Sequence, residues 1–326
     1  MADDSIAVVL ATFNGDRYLN AQLVSIANQS RKPDELIIGD DGSTDDTLSV
    51  LDAFASTAPF PVHILRHQRI GVGDNFLSAV QSSQSDLVAF SDQDDVWHPR
   101  KLEISIAALG KLDADLVLHG AQPVDQQLRP IRTGYDNVRK VRIRNRLRGN
   151  VWYSGYGHAM VFRRDLLNGC DWKKRPRSQW SNTPMHHDDL VGLLATVKGR
   201  TVRIPDRLIQ YRQHGRNVAG APPTLLGAVR ARKDPYSSVA HRVEVAEEWA
   251  CYFSDLVSPH QRREVIEYFN NAARIMAVRA ERLHDPRYKA LPSLGLSALK
   301  GHYSSRTPDG VGWKRFLQDS LWFVVR

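Results

Sequence analysis

Three carboxylates fall within four positions at Asp92, Asp94 and Asp95, directly after the apolar run Leu87 to Phe90. Side by side they repel one another, and a cation among them removes the repulsion. Hard divalent ions such as Mg²⁺ or Mn²⁺ take oxygen ligands, commonly one or two carboxylates plus substrate phosphates, so a metal and a diphosphate can share one shell here. An acidic turn capping the helix that opens near His98-Pro99 explains the same residues without a ligand. A second polar group, Met185-His186-His187-Asp188-Asp189, opens an amphipathic helix. Either carboxylate can serve as a general base, and if both face one pocket their repulsion raises one pKa toward neutrality. N-capping by Asp188 is the structural alternative. Gly155 and Gly157 in YSGYGHAMVFRR let backbone approach a ligand or simply turn the chain.

Positioning these groups requires a scaffold, and its elements are legible. Strands are expected at Ile6 to Ala11, Glu35 to Gly39, Val62 to Arg66, Leu87 to Phe90 and Asp115 to His119. Helices are expected at Tyr18 to Asn28, Thr47 to Ala55, Asn75 to Gln84 and Arg100 to Leu112. Strands alternating with helices predict an α/β fold with a mostly parallel, doubly covered sheet. In such sheets ligands bind at the carboxyl ends of the strands, where Asp40-Asp41 and the Asp92 cluster stand. Ser43, Thr44 or Asp45 caps the second helix. Further strands are expected at Val202 to Ile204 and Leu208 to Tyr211. Beyond Gly220-Ala221-Pro222-Pro223 the pattern turns helical, with helices at Tyr236 to Tyr252, Pro259 to Leu283 and Trp313 to Val325. The expected organisation is a catalytic domain over 1–220 and a helical region over 221–326.

Composition narrows the classes. With 44 Lys and Arg against 36 Asp and Glu, the 326-residue chain carries +8 and favours anionic partners. Eight of those cations lie between Arg129 and Arg148, either a solvated face or a phosphate or lipid contact. Two cysteines, Cys170 and Cys251, imply neither a disulfide framework nor a zinc site. The N-terminus has the wrong charge and too short an apolar run for a secretion signal. No segment is apolar for long enough to span a membrane. A cytoplasmic protein is expected, with any membrane association peripheral, for example through the amphipathic terminal helix on an anionic surface.

In this order the motifs resemble those of family 2 glycosyltransferases of the GT-A fold, over Ile6 to about Asn217. LATFNG is similar to the family's first strand and turn, GDDGSTDDT to its nucleotide-binding turn, and SDQDDVW to its Asp-x-Asp metal motif. His187-Asp188, with Gly199 eleven residues after Asp188, resembles the catalytic acidic pair, and YRQHGRN the closing loop. SDQDDVW together with YRQHG resembles the bacterial rhamnosyltransferase-like subgroup. The resemblance implies an inverting, metal-dependent transfer of a sugar from a nucleoside diphosphate, dTDP or UDP, to a glycan or lipid-linked glycan, most simply of L-rhamnose from dTDP-rhamnose. It implies Thr12, Asn14, Asp40, Asp41, Asp92 and Arg212 around the nucleotide sugar. Asp94, Asp92 and His214 would hold Mg²⁺ or Mn²⁺. Asp188 would be the base with Asp189 as rival, and Asp95, Trp97 and His187 would lie on the acceptor side.

Two positions depart from the pattern. His187 stands where relatives carry Glu, and Asp74 stands where relatives carry Lys or Arg. Other classes fit less well. A dinucleotide-dependent oxidoreductase needs G-x-G-x-x-G after the first strand, and a P-loop enzyme needs GxxxxGK[ST]; neither is present. A sugar-phosphate nucleotidyltransferase would carry a Gly-rich, Arg-bearing first loop. A basic nucleic-acid-binding protein would leave both acidic clusters unexplained, so no nucleic-acid partner is expected.

Overall fold

The computed structural model describes residues 4–131, 135, 137–215 and 235–284. Within them run β1 (Ile6–Thr12), α1 (Asp16–Ala27), β2 (Glu35–Asp40), α2 (Thr47–Ala55), β3 (Val62–Arg66), α3 (Val72–Ser82) and β4 (Leu87–Ser91). There follow β5 (Val96–Trp97), α4 (Lys101–Lys111), β6 (Leu116–Val124), β7 (Arg142–Arg144), β8 (Met160–Arg163), α5 (His187–Lys198), β9 (Thr201–Arg212), α6 (Pro235–Ser254) and α7 (Pro259–His284). The expected boundary at 218–224, Arg216 and Asn217 of the closing loop, and the helix Trp313 to Val325 lie outside the described residues.

The strands form one sheet in the order β3-β2-β1-β4-β8-β6-β9-β5, with β7 on β9. The first four are parallel, as their helical crossovers require. β8 then enters antiparallel between β4 and β6, with Val88 opposite Phe162 and Val117 opposite Val161. β9 returns parallel to β6 and carries two-residue β5 on its end, Val96 opposite Gln210. The two strands expected at 202–204 and 208–211 are one strand. Its register shifts against β6 where half-buried Pro205 and exposed Asp206 and Arg207 interrupt the apolar run, because proline has no N–H to give the ladder.

Alternation along the strands splits the core into two layers. Val8 and Leu10 of β1 pack with Leu19 and Leu23 of α1, Leu51 of α2 and Leu102 of α4. Val9 and Phe90 face the other way, with Phe76 of α3 and Leu190 of α5. That second layer continues without a break into Trp249 and Phe253 of α6 and Phe269 of α7. The α6–α7 pair also grips the loop before α5: Trp249 Nε1 donates to the Arg177 carbonyl at 2.9 Å, and Arg177 Nε donates to Glu248 Oε1 at 2.7 Å. The helical region expected from the sequence is therefore built onto the catalytic layer through one shared core.

Candidate active site

Acidic residues collect at the carboxyl edge of the sheet because β1, β2 and β4 all end there. Asp40, the last residue of β2, is turned into the scaffold. Its carboxylate accepts from the N–H groups of Gly42 (3.2 Å) and Ser43 (2.9 Å) and from the Thr12 hydroxyl (3.0 Å). Thr12 and Asp40 thereby hold the nucleotide-binding turn from beneath. Asp41 accepts from the N–H groups of Ile70 (2.6 Å) and Gly71 (2.9 Å), fixing the loop that leads into α3. Asn14, with φ 47°, joins the first turn to the second: its N–H donates to Ser43 Oγ at 2.9 Å and its Oδ1 accepts from the Thr44 N–H at 2.8 Å. Ser43 and Thr44 are therefore bridges between turns, and it is Asp45 Oδ1 that takes the Thr47 N–H, at 3.0 Å, as α2 begins.

The acidic turn after β4 divides its three carboxylates. Asp94 Oδ2 lies 2.7 Å from His214 Nε2, because β5 pairs with the end of β9 and brings the two turns together. Asp92 is 38% exposed at its side chain, and its Oδ2 lies 3.4 Å from His158 Nδ1. Asp95 is fully buried: Oδ1 accepts the Arg212 N–H at 3.1 Å, and Oδ2 accepts no hydrogen bond among the described residues but lies 3.9 Å from His158 Nδ1. Burial, then the neighbouring carboxylates, raises the pKa of Asp94 and lifts that of Asp95 well above the usual range. Burial is the largest influence on Asp92 and opposes its ionisation, but the His158 hydrogen bond and nearby positive charge together bring the pKa down.

Beneath the turn lies a cation that sequence reasoning missed. Lys101, at the start of α4, is fully buried. Its Nζ donates to the His158 carbonyl at 2.8 Å and sits 3.6 Å from the centre of the Trp97 ring. Burial lowers its pKa to about 7 against the pull of Asp95 and Asp92. Gln93, also missed, clamps the turn to the first loop, Oε1 accepting the Phe13 N–H at 2.9 Å and Nε2 donating to the Phe13 carbonyl at 3.1 Å. Neither has a sequence signal, since each acts on backbone distant in the chain. For His158 there was one: a polar ring immediately before the apolar strand Met160–Arg163.

Three residues expected on the acceptor side are inside the protein. Asp95 and Trp97 are 0% and 3% exposed, because β5 is tucked under β9 and the buried Lys101 demands a carboxylate and an aromatic face around it. His187 is 6% exposed, stacked on Phe76 at 3.9 Å and edge-on to Phe90 at 4.9 Å, and both ring nitrogens lack partners among the described residues. Burial lowers its pKa to about 3, so it is neutral. Arg212, expected to close over a diphosphate, is 4% exposed. Its guanidinium donates to the Asp94 carbonyl (2.8 Å) and the Gln126 carbonyl (2.6 Å) and lies over Tyr18 at 4.5 Å. Its direct work is to hold the acidic turn. Asp74 pairs with buried Arg175, which puts a cation beside the position where the resemblance had led us to look for one.

The helix-borne pair faces two ways. Asp188 accepts the Asp189 N–H at 2.9 Å, but it is not the N-cap expected from the sequence: it lies inside the first turn, and the N-cap position is His186, with no side-chain cap. Burial raises its pKa, and its side chain packs against Gly157, where an added Cβ would lie 3.5 Å from the Asp188 Cβ, next in the chain to the His158 that meets Asp92. Asp189 instead receives the Ser154 hydroxyl, and burial followed by the charge of Asp188 raises it to about 7. The acidic turn and Asp188, 96 residues apart counted from Asp92, thus meet at one edge.

A divalent ion fits this donor set. Carboxylate oxygens of Asp92 and Asp95 lie within 4.8 Å of one another and of a His158 ring nitrogen, and Asp95 Oδ2 accepts no hydrogen bond among the described residues. Burial with mutual repulsion raises the pKa of Asp94 and Asp95, a cost that a cation beside them would offset. An open α/β sheet with such an edge defines a class: enzymes that bind phosphorylated ligands beyond the strand ends. Comparison with known proteins narrows it. The family model for glycosyl transferase family 2 matches residues 7–170, just over half of the 326 residues. The chain belongs to that family.

Its relatives agree. An uncharacterised glycosyltransferase of Nostoc sp. is 25% identical over 221 residues, covering 65% of this chain and 66% of that protein. The dTDP-rhamnosyl transferase RfbG of Shigella flexneri is 35% identical over 105 residues, covering 31% of this chain and 36% of that protein. The chain thus spans less than two thirds of either relative's length. S. aureus TarS 1–349 in complex with UDP-GlcNAc matches with a TM-score of 0.56 at 17% identity, covering 92% of this chain and 93% of that one. That likeness establishes the GT-A fold.

Proposed function

We propose that this protein is an inverting, metal-dependent glycosyltransferase that moves a sugar from a nucleoside diphosphate to a hydroxyl of a saccharide or lipid-linked glycan in cell-surface polysaccharide synthesis. What supports this reading is the packing of Asp188 against Gly157, beside the His158 that meets Asp92, in a chain of the family 2 fold. Asp92, Asp94 and His214 would hold Mg²⁺ or Mn²⁺, with Asp41 toward the base of the nucleotide. The ion supplies charge neutralisation to the departing diphosphate. Arg212 keeps the Asp94 backbone in place and adds positive potential. Asp188, its proton affinity raised by burial, takes the acceptor hydroxyl's proton as the oxygen attacks the anomeric carbon; the anomeric C–O bond breaks and the nucleoside diphosphate leaves with the bonding pair. One attack from the face opposite the leaving group inverts the anomeric centre. Such a base contributes roughly 10²–10⁴ in rate.

The RfbG relative supports dTDP-L-rhamnose as the donor, and UDP-hexoses are the second choice. A lipid-linked acceptor suits the surplus of positive charge, with the protein peripheral on an anionic membrane face in the cytoplasm. None of the described helices is long and apolar enough to cross a membrane. A donor screen that follows nucleoside diphosphate release with and without EDTA tests the reading. Release from one donor, lost with EDTA and in Asp94→Ala, is expected. Release from no donor, or calorimetric metal–nucleotide binding unchanged in Asp94→Ala, would count against it.

A further inference from the structure

Both ring nitrogens of His158 are engaged, and their partners decide where its hydrogen sits. Nε2 lies 2.9 Å from the Tyr135 hydroxyl, and Nδ1 lies 3.4 Å from Asp92 Oδ2, with Asp95 Oδ2 beyond hydrogen-bond reach at 3.9 Å. The Asp92 carboxylate can only accept, so the ring nitrogen facing it is the donor, and in the neutral ring Nε2 is left to accept from the Tyr135 hydroxyl. Nδ1 therefore bears the ring hydrogen and points it at the Asp92 carboxylate. The side chain is 4% exposed. It is stacked with Tyr156 at 5.6 Å and an interplanar angle of 12°, and flanked by Tyr211 at 4.5 Å. From below, Lys101 pins the His158 carbonyl. Ring plane, backbone and tautomer are all fixed, and the freedom left in this group belongs to Asp92.

Asp92 needs such a restraint. It is the most exposed of the three clustered acids, at 38% against 15% for Asp94 and 0% for Asp95, and the three carboxylates repel one another. We propose that His158 is a positioning residue for transfer: through Nδ1–H it holds the Asp92 carboxylate in the orientation that receives the cation-bound diphosphate of the donor, with Tyr135 holding the tautomer. This rests on the glycosyltransferase reading above. Direct ligation of the cation through Nδ1 would need the opposite tautomer and would displace the Asp92 contact.

The test sets His158→Asn against His158→Gln in the full chain. The Asn amide N–H falls near the Nδ1 position and reaches Asp92; the Gln amide falls near Nε2 and reaches Tyr135. Binding of UDP and of dTDP is measured by calorimetry with and without Mn²⁺, melting is recorded alongside, and the electron paramagnetic resonance of bound Mn²⁺ is examined for coupling to histidine nitrogen. Mn²⁺-dependent nucleotide affinity should fall by about 10–100-fold in His158→Gln, the cost typical of lost outer-shell partners. It should be largely kept in His158→Asn and fall part-way in Tyr135→Phe. Metal-independent nucleotide affinity and the nitrogen coupling should be unchanged in all three. Equal losses in Asn and Gln variants, or lower melting with affinity intact, would reduce His158 to packing and overturn the proposal. Loss of a nitrogen coupling in the Gln variant would make it a direct ligand and overturn it too. A wild-type protein without Mn²⁺-dependent nucleotide affinity would instead remove the glycosyltransferase reading beneath it.

Discussion

Replacing Asp189 by Asn should stabilise the protein at pH 8 while leaving transfer alive. Burial and the adjacent Asp188 raise the Asp189 carboxyl from 3.8 to about 7. A carboxyl with a raised folded-state pKa binds more protons in the folded chain than in the unfolded one between those two values. Stability therefore falls as pH rises through that window, and the whole cost is present above it. At 1.36 kcal/mol per pKa unit the cost approaches about 4 kcal/mol, and partial solvation of the side chain trims it to ~2–3 kcal/mol. Asn carries no charge and can still meet the Ser154 hydroxyl. A chain of this size gains about 2 °C in melting temperature per kcal/mol, so Asp189→Asn should melt ~4–6 °C higher at pH 8 and match the wild type near pH 4. Calorimetric melting of both proteins from pH 4 to pH 9 reads this directly. A difference that does not change with pH, or a variant less stable at pH 8, refutes the electrostatic argument. Turnover measured on the same samples assigns the base: an inactive Asp189→Asn beside an active Asp188→Asn would move that role to Asp189.

Asp188→Asn should lower kcat by roughly 10²–10⁴ and leave nucleotide affinity in place; in the wild type the acid limb of kcat/KM should have its midpoint above 3.8, because burial raises the Asp188 pKa, and that limb should vanish from the variant's residual rate. Lys101→Met removes the donor to the His158 carbonyl and the buried partner of Asp95, at a cost of about 3 kcal/mol. Unchanged melting would show that the cation is dispensable. Gly157→Ala would set a Cβ 2.7 Å from His187 Nε2, and Phe76 and Phe90 leave that ring little room to retreat. A loss of about 1–3 kcal/mol is expected in denaturant melts, with kcat reduced through the displaced Asp188; a variant that melts and turns over like the wild type would show that the ring can move.

Much of the scaffold follows from short stretches of chain. Thr47–Ala55 and Val62–Arg66 have the bounds that periodicity and turn residues predict, since a capped amphipathic helix and a compact apolar run are settled by neighbouring residues. The same holds for the acids at strand ends. Polarity reverses where a strand leaves the core, so the sequence pattern alone puts Asp41, Asp92 and Asp94 at the carboxyl edge. The departures have a common cause. The resemblance puts His187, Trp97 and Asp95 on the acceptor side, yet each is covered by an element distant in the chain or by a neighbouring helix: Phe76 and Phe90 over His187, β9 over Trp97, Lys101 near Asp95.

The amino-acid order by itself determined the kind of fold, the edge at which chemistry occurs and the acids that stand there, because strand, helix and turn preferences and the hydrophobic period act over a few residues. The tertiary structure alone decided which side chains face one another. β8 enters antiparallel beside β4 and carries His158 to Asp92; β5 pairs with β9 and carries Asp94 to His214; α6 and α7 brace the loop that delivers Asp188. Strand adjacency is set by burial of the whole sheet against two helical layers, a free energy summed over residues a hundred positions apart, and no local pattern contains that sum.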